Sequence, residues 1–405
     1  MPCASQPAGD GQPPALPDTP GALDAPAGAP PAGALPLPLL GLFDEARRQL
    51  SVCNACRYCA GYCPVWPELE LRTDLSDGDL GFLANLCHDC QDCFTACMYT
   101  APHEFAINPP QVFAGLREDS YRRYVWPARG PRWLTGRLAG WRGIAAALAG
   151  VAAVCWALSY ATSGPAAGRP GSPYQVLPYA VLLSLVGLPA VWCAAVLAAA
   201  AVRCWRDIHG PLADLARPRH WLTAVGAAAQ LRHMRGTVGA VDAGAGCDYP
   251  DDAPSAARRR YHLTLGYGFL LCLVSTMSAA VEQDLLDIAP PYPYLSVPVL
   301  AGTLGGLGML TGGAGLLVLK ARSDPARGTA GMRRSDYALI VALLVLAATG
   351  LLTLAVRETV LFGPVLTAHL TAVAVAFAVA PYTKFSHWLY RLLAIYKNTL
   401  TGGAR

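Results

Sequence analysis

Charged side chains are scarce in this chain. They make up 14% of its 405 residues, whereas 54% are hydrophobic. Soluble domains carry about 25% charged residues, so the composition argues against a wholly soluble protein and indicates a membrane protein. The net charge of +4 is small, and in a membrane chain the positions of the basic residues are more informative than their sum.

Other signals are missing as well. We find no catalytic triad and no phosphate-binding loop, so no residue pattern indicates hydrolytic or nucleotide chemistry. Residues 41–128 show no alternating strand pattern, which argues against a small β-rich domain there. Six scattered cysteines have no spacing that suggests a disulfide framework; they are Cys3, Cys155, Cys193, Cys204, Cys247 and Cys272.

The remaining eight cysteines form two matching runs with the spacing Cys-x-x-Cys-x-x-Cys-x-x-x-Cys. This spacing is typical of proteins that hold two [4Fe-4S] clusters, in which the last cysteine of each run ligates the other run's cluster. The predicted ligands of the first cluster are Cys53, Cys56, Cys59 and Cys97, and those of the second are Cys87, Cys90, Cys93 and Cys63.

Two alternatives for the cysteine runs are weaker. Zinc sites pair two-cysteine knuckles, and a third cysteine at another three-residue step has no role in them. Disulfides require an oxidising compartment, whereas the charge pattern described below predicts that this segment is cytoplasmic.

The chain divides into three predicted regions. Residues 1–40 are rich in Pro, Ala and Gly and lack the basic start of a signal peptide, so we expect a disordered tail. Residues 41–128 are predicted to form a cytoplasmic 2[4Fe-4S] domain, in which a helix ending at Leu86 delivers the second run. Residues 129–405 form a membrane domain. The predicted fold class is mainly α, with an α-helical ferredoxin-like module followed by a polytopic helical bundle.

Apolar stretches of about 20 residues are long enough to cross a bilayer as helices. We count six of them, at 143–162, 178–202, 263–281, 296–319, 337–357 and 363–383. Arginine and tryptophan residues just before the first stretch are typical of an anchor at the membrane interface. That position makes the lipid bilayer the expected partner of this patch and argues against nucleic acid.

The basic residues predict the orientation of the bundle. Loops 203–262 and 320–336 are rich in Arg and Lys, whereas the opposite loops carry only Arg169 and Arg357. By the positive-inside rule the long loop 203–262, both termini and the cysteine runs are cytoplasmic. We therefore expect a multi-pass protein of a bacterial-type inner membrane.

Three histidines fall at or inside the predicted spans. His262 and His387 are expected at matching depth near the cytoplasmic face, which makes them the candidate axial ligands of a haem b. His369 lies within the last span. It is 18 residues, or five helical turns, from His387, so on one continuous helix both rings would share a face. It could hold a second haem, contact quinone, face Cys272 or Met277, or hydrogen-bond a neighbouring helix. An interfacial role remains the alternative for His262 and His387.

The joined architecture resembles the tricarballylate-utilization protein B family, also called citrate-utilization protein B. The resemblance is carried by the two cysteine runs and by four further stretches. These are Cys97-Met-Tyr-Thr-Ala-Pro-His-Glu-Phe105, Gly246-Cys-Asp-Tyr-Pro-Asp251, Tyr261-His-Leu-Thr264 and Pro381-Tyr-Thr-Lys-Phe-Ser-His387. The last span also resembles the final helix of the nitrate reductase gamma subunit, which implies that His369 and His387 bind haem.

The family resemblance implies an electron-transfer subunit without an organic-substrate active site of its own. It would accept electrons from the reduced FAD of a partner tricarballylate dehydrogenase and pass them through the clusters and haem b to membrane quinone. Two alternatives remain open: a heterodisulfide-reductase-like or other respiratory subunit, and a membrane-tethered redox sensor.

Overall fold

The structure is a computed structural model that describes residues 41–127, 157, 173–235 and 246–402. The predicted tail and, apart from residue 157, the first predicted span at 143–162 lie outside the described residues. The described chain is built from helices, with one antiparallel pair of two-residue strands, β1 (Cys247–Asp248) and β2 (Pro254–Ser255). The predicted mainly α fold class is confirmed.

Five helices form the cysteine-rich N-terminal part. They are α1 (Leu42–Cys56), α2 (Val65–Glu70), α3 (Asp77–Leu86), α4 (Asp92–Thr95) and α5 (Pro109–Arg123). Helix α3 begins with a capping box in which Ser76 and Asp79 satisfy each other's backbone N–H groups, and it ends directly before Cys87. The predicted helix that delivers the second run is therefore confirmed.

Eight further α-helices follow in the described residues. They are α6 (Pro173–Val176), α7 (Tyr179–Asp207), α8 (Pro218–Ala229), α9 (Ala257–Leu285), α10 (Val297–Arg322), α11 (Ala330–Ala355), α12 (Phe362–Val379) and α13 (His387–Leu400). Within the described ranges, α7, α9, α10, α11 and α12 with its following turn are long and apolar enough to cross a membrane. They correspond to the last five predicted spans.

Helices α9 and α10 approach until their backbones touch. A Cβ atom on Gly268 of α9 would lie 2.7 Å from the Gly305 carbonyl oxygen, and one on Gly312 of α10 would lie 2.7 Å from the Tyr261 carbonyl oxygen. Small residues allow such close packing between helices in a membrane, where dispersion contacts replace the hydrophobic driving force. The glycine-rich sequence of α10 therefore fixes its position against α9.

The Gly268→Ala substitution should lower the stability of the bundle by about 1–3 kcal/mol, because the added methyl group cannot enter without separating the helices. The matched control is Gly266→Ala on the same helix, where a Cβ atom meets nothing within 4 Å. Thermal unfolding in detergent should show a lower Tm for Gly268→Ala only. Equal Tm values for the two variants would contradict this packing.

The N-terminal part shares one hydrophobic core with the membrane half. Helix α13 folds back against α3, α7 and α8, and its Tyr390 and Tyr396 are fully buried beside Phe82 and Trp205. The Tyr390 ring stacks on Tyr121 of α5, with ring centres 5.8 Å apart. The cysteine-rich part is thus packed on the bundle through α13.

Hydrogen bonds join the N-terminal part to the basic end of the bundle, which we define as the C-terminal ends of α7, α10 and α12 and the N-terminal ends of α9 and α11. Tyr124 donates to Asp207 at 2.6 Å, at the end of α7. Thr329, which caps α11, donates to Glu118 of α5 at 3.1 Å. The cysteine runs therefore lie over the end of the bundle that carries most of its basic residues.

Candidate metal and electron-transfer sites

The eight thiols of the two runs line two cavities. The first is lined by Cys53, Cys56, Cys59 and Cys97, and also by Cys93. Helix α1 delivers two of these thiols, because Cys53 and Cys56 occupy its last turn. The fourth member, Cys97, comes from the second run, so this cavity brings together the four residues predicted for the first cluster.

The second cavity has the complementary set of thiols. It is lined by Cys63 from the first run and by Cys87, Cys90 and Cys93 from the second. Since Cys93 borders both cavities, the two sites are neighbours. In the described part of the chain, no three His, Cys, Asp or Glu residues converge tightly enough for a single metal ion.

Electrostatic coupling between the thiols follows the same grouping. Burial, followed by the Cys97 thiol, raises the pKa of both Cys53 and Cys59 to about 12. Burial and then Cys87 raise the pKa of Cys63 and Cys93. Free thiols here resist ionisation, so a bound cation must supply the stabilisation that thiolates require.

The loop around Cys90 has an unusual backbone. Asp89 and Gln91, on either side of it, have φ angles of 59° and 72°, in the left-handed region. Two arginines hold this loop, because the buried Arg117 and the partly buried Arg258 lie 3.7 Å and 3.6 Å from the two carboxylate oxygens of Asp89. Arg258 belongs to α9, so a membrane helix helps to position the second cavity.

Two histidines border the second cavity. His88 and His233 meet edge to face, with ring centres 5.0 Å apart, and both line the cavity wall. Burial lowers the pKa of His88, and it lowers that of His233 to about 4. His88 follows Cys87 directly in the second cysteine run. The 145 residues that separate the two rings in the chain hide their contact from any spacing argument.

His262 and His387 face each other at the basic end of the bundle. Their ring centres are 6.2 Å apart, with an angle of 78° between the ring planes. Metal–imidazole bonds are about 2.0–2.1 Å long. Two imidazoles that held one metal between them would therefore have ring centres about 6.3 Å apart. The structure thus brings the predicted axial pair to a spacing that suits one metal between them.

The tautomer of His387 suits metal binding as well. Its Nδ1 lies 2.7 Å from the carbonyl oxygen of Lys384 and donates to it, which leaves Nε2 free as an acceptor. Burial, followed by the charge of Lys384, lowers the pKa of His387 to about 3. The imidazole is therefore neutral, which is the form that coordinates iron.

The expectation that His369 and His387 lie on one continuous helix is wrong. Helix α12 ends at Val379, two short 3-10 turns follow, and His387 opens the separate helix α13. Pro381 lacks a backbone N–H, and Thr383 is extended with a ψ of 177°, so the α-helix cannot continue. The five-turn argument for two rings on one helical face therefore fails.

His369 contacts a neighbouring helix. Its Nδ1 lies 3.0 Å from the hydroxyl of Thr349 on α11, and its ring packs on Gly350. Of the two partners considered from sequence, Cys272 instead lies 3.7 Å from the sulfur of Met309, and Met277 is exposed. The structure does not bring His369 to a second histidine among the described residues.

The charge of Arg391 acts at both the second cavity and the histidine pair. Its charge acts on His88 at the cavity and on both His262 and His387. The Cys87 thiol in turn acts on Arg391. A single side chain of α13 thus neighbours both predicted cofactor sites.

The remaining histidines make local contacts. His209 lies 3.2 Å from the Ser76 hydroxyl, and His220 lies 3.2 Å from that of Thr399. His103 accepts from the backbone N–H of Phe105 at 3.1 Å. These contacts give the three rings local packing roles.

The comparisons with known proteins cover both halves of the chain. The family model described as "Citrate utilization protein B" matches residues 135–405, and that described as "Citrate utilization protein B Fer4-like domain" matches residues 46–123. Citrate utilization protein B of Escherichia coli is 37% identical over 359 residues, which cover 87% of this chain and 91% of the relative. No solved structure matches this chain. The chain therefore belongs to the citrate utilization protein B family, with an iron–sulfur Fer4-like domain followed by a membrane-associated helical domain.

Proposed function

We propose that this protein carries electrons from a soluble flavoprotein to membrane quinone. The donor is the reduced FAD of a partner dehydrogenase that oxidises tricarballylate or a related tricarboxylate such as citrate. The route runs through two [4Fe-4S] clusters and one haem b. Family membership supports the coarser role, an iron–sulfur electron-transfer protein of citrate utilization.

The observation that carries the proposal is the placement of the thiol cavities beside the His262–His387 pair. The first cavity is the outermost, because its Cys56 is exposed and the neighbouring Tyr58 is 57% exposed. Cys90 in the second cavity is buried, and Arg258, which pairs with the adjacent Asp89, lies one helical turn before His262 on α9. This order favours entry at the first cluster and exit toward the membrane.

The proposed ligands follow the crossed scheme. Each cavity would hold one cluster on three thiols from one run and the fourth from the other. Cubane clusters held by four thiolates are one-electron carriers whose potentials depend on burial and on hydrogen bonds to sulfur. The first site has an exposed thiol, Cys56, and the second has a buried one, Cys90, so the two sites differ in burial, one of the properties that set the potential.

Basic side chains surround the proposed haem b site. Arg258, Arg391 and Lys384 all act electrostatically on the His262 ring. Arg258 and Lys384 have carboxylate partners in Asp89 and Asp336, whereas Arg391 makes no salt bridge within the described ranges. Haem b carries two propionate carboxylates, and these cations are suited to neutralise them. We leave His369 in a packing role with Thr349.

We place the basic end of the bundle, the cysteine-rich part and both termini on the cytoplasmic side of a bacterial-type inner membrane. The charge asymmetry of the loops supports this orientation. A cytoplasmic location also keeps the thiols reduced for cluster assembly. The soluble flavoprotein would then have access to the exposed rim of the first cavity.

Quinone reduction in membranes tests the proposal. Membranes that contain this protein, mixed with the flavoprotein and tricarballylate or citrate, should reduce added quinone, and membranes without the protein should not. The control variant Cys193→Ala removes a buried thiol of α7 far from both runs in the chain and should retain the activity. Clusters that are reduced by the flavoprotein while quinone stays oxidised would contradict the proposal and favour a redox sensor.

A further inference from the structure

Helix α8, in the loop between α7 and α9, has an exposed apolar face. Leu222 is 77% exposed and Val225 is 49% exposed. Residues three and four apart on a helix are neighbours, so these two side chains and Gly226 form one surface. A Cβ atom on Gly226 would meet nothing within 4 Å, so this surface is open among the described residues. A contiguous apolar surface of this kind indicates a binding partner.

The opposite face of α8 is fixed in the shared core. Ala224 and Ala227 are buried there. The Trp221 ring stacks on Tyr396 of α13, with ring centres 4.1 Å apart. Helix α8 therefore cannot rotate to hide its apolar face without losing these contacts.

Two hydrogen bonds set the depth of α8 relative to the bundle. Tyr267 of α9 donates to the carbonyl oxygen of Ala229 at 2.9 Å, and Arg259 donates to that of Gln230 at 2.8 Å. Tyr267 lies inside the predicted span 263–281, and helical side chains lean toward the N-terminus of their helix. The end of α8 is therefore level with the start of that span, where tyrosine is typical of the membrane interface.

The surroundings of the apolar face favour lipid as its partner. Tyr267 and Leu270 of the neighbouring span are exposed, so the surface that α9 presents to lipid continues onto α8. The exposed cations Arg219 and Arg232 lie before and after the apolar face in the chain. Apolar side chains flanked by basic ones complement an anionic phospholipid surface. A soluble protein could not reach a face at this depth without displacing lipid.

We infer that α8 lies along the membrane interface at the basic end of the bundle and binds anionic phospholipids. Its Leu222 and Val225 insert among the acyl chains, and Arg219 and Arg232 bind the headgroup phosphates. This inference goes beyond the proposed function and depends on neither the clusters nor the haem. It adds that the bilayer holds α8 and, through the Trp221 contact, the helix α13 that begins at His387.

Photo-cross-linking of the full-length protein tests this inference. The protein is placed in nanodiscs of equal parts phosphatidylglycerol and phosphatidylcholine, with Leu222 replaced by p-benzoylphenylalanine. Irradiation should attach lipid at position 222, and mass spectrometry identifies the adduct. The matched control carries the same photoreactive residue in place of Leu71, which is 67% exposed and follows Glu70 at the first cavity. That control should give no lipid adduct.

The preference for anionic headgroups is measured in the same nanodiscs. With the photoreactive residue at position 222, Arg219→Gln should lower the ratio of phosphatidylglycerol to phosphatidylcholine adducts about fivefold, because each basic residue near the surface attracts anionic lipid. The matched control is Arg122→Gln, which removes an exposed arginine of α5 and should leave the ratio unchanged.

Three results would overturn the inference. The first is an equal yield of lipid adducts at positions 222 and 71. The second is a set of adducts at position 222 that contains only protein, whether residues 128–156 of the same chain or a second copy. The third is an unchanged headgroup ratio in Arg219→Gln, which would exclude anionic lipid as the specific partner.

Discussion

His387→Ala should abolish the haem b absorbance of the purified protein. The substitution removes one of two rings whose centres are 6.2 Å apart. The methyl group that remains in alanine cannot bind a metal at that position. Six-coordinate haem would lose an axial ligand together with the helix α13 contact that fixes it. The measurement is the dithionite-reduced minus oxidised spectrum of the detergent-solubilised protein, with haem quantified per polypeptide.

Loss of haem must be distinguished from loss of folding. The iron–sulfur signals in electron paramagnetic resonance provide that check, since the cysteine cavities share a core with α13 and would be disrupted if the chain unfolded. His209→Ala is the matched control, because His209 is exposed and its ring hydrogen-bonds with the Ser76 hydroxyl, away from the His262–His387 pair in the chain. An unchanged haem spectrum in His387→Ala would refute the pairing of His262 with His387.

Cys63→Ala should eliminate the second cluster while leaving the first in place. Cys63 belongs to the first run, yet it lines the second cavity with Cys87 and Cys90. The reference variants are Cys87→Ala and Cys53→Ala, each of which removes a ligand of its own run's cluster in either ligation scheme. Crossed ligation predicts that Cys63→Ala loses the same paramagnetic signal as Cys87→Ala.

The reciprocal substitution completes the test. Cys97→Ala should lose the signal that Cys53→Ala loses, because Cys97 lines the first cavity with Cys53 and Cys59. If each run held its own cluster, the two results would be exchanged, and Cys63→Ala would resemble Cys53→Ala. Such a pattern would contradict the crossed scheme without affecting the presence of two clusters.

Local sequence rules predicted much of this fold. Hydropathy located the five described spanning helices to within a few residues at most ends, because a bilayer imposes a length on apolar segments. The spacing of the cysteines predicted their grouping, because ligation geometry is a local constraint within each run. The pairing of His262 with His387 came from their expected depth at the ends of two spans.

Contacts between distant segments were not predictable in this way. The Asp248 N–H of β1 donates to Asp92, 156 positions earlier in the chain, and no periodicity indicates that the β1–β2 hairpin reaches the second run. The course of the chain after Pro381 was also missed, because apolar residues continue into the turns and hide the end of α12. Helix α13 then packs its two tyrosines, Tyr390 and Tyr396, into the shared core. The position of α13 is decided by tertiary packing, which outweighs the local sequence pattern.

The central claim is that electrons reach quinone through the clusters and then through the site between His262 and His387. The most direct test repeats the flavoprotein-driven quinone assay while haem absorbance is recorded, with the unmodified protein and with Cys63→Ala. We expect substrate to reduce the haem and quinone in the unmodified protein. In Cys63→Ala, dithionite should still reduce the haem, but substrate should reduce neither haem nor quinone. Substrate-driven reduction of haem at the unmodified rate in Cys63→Ala would contradict the account.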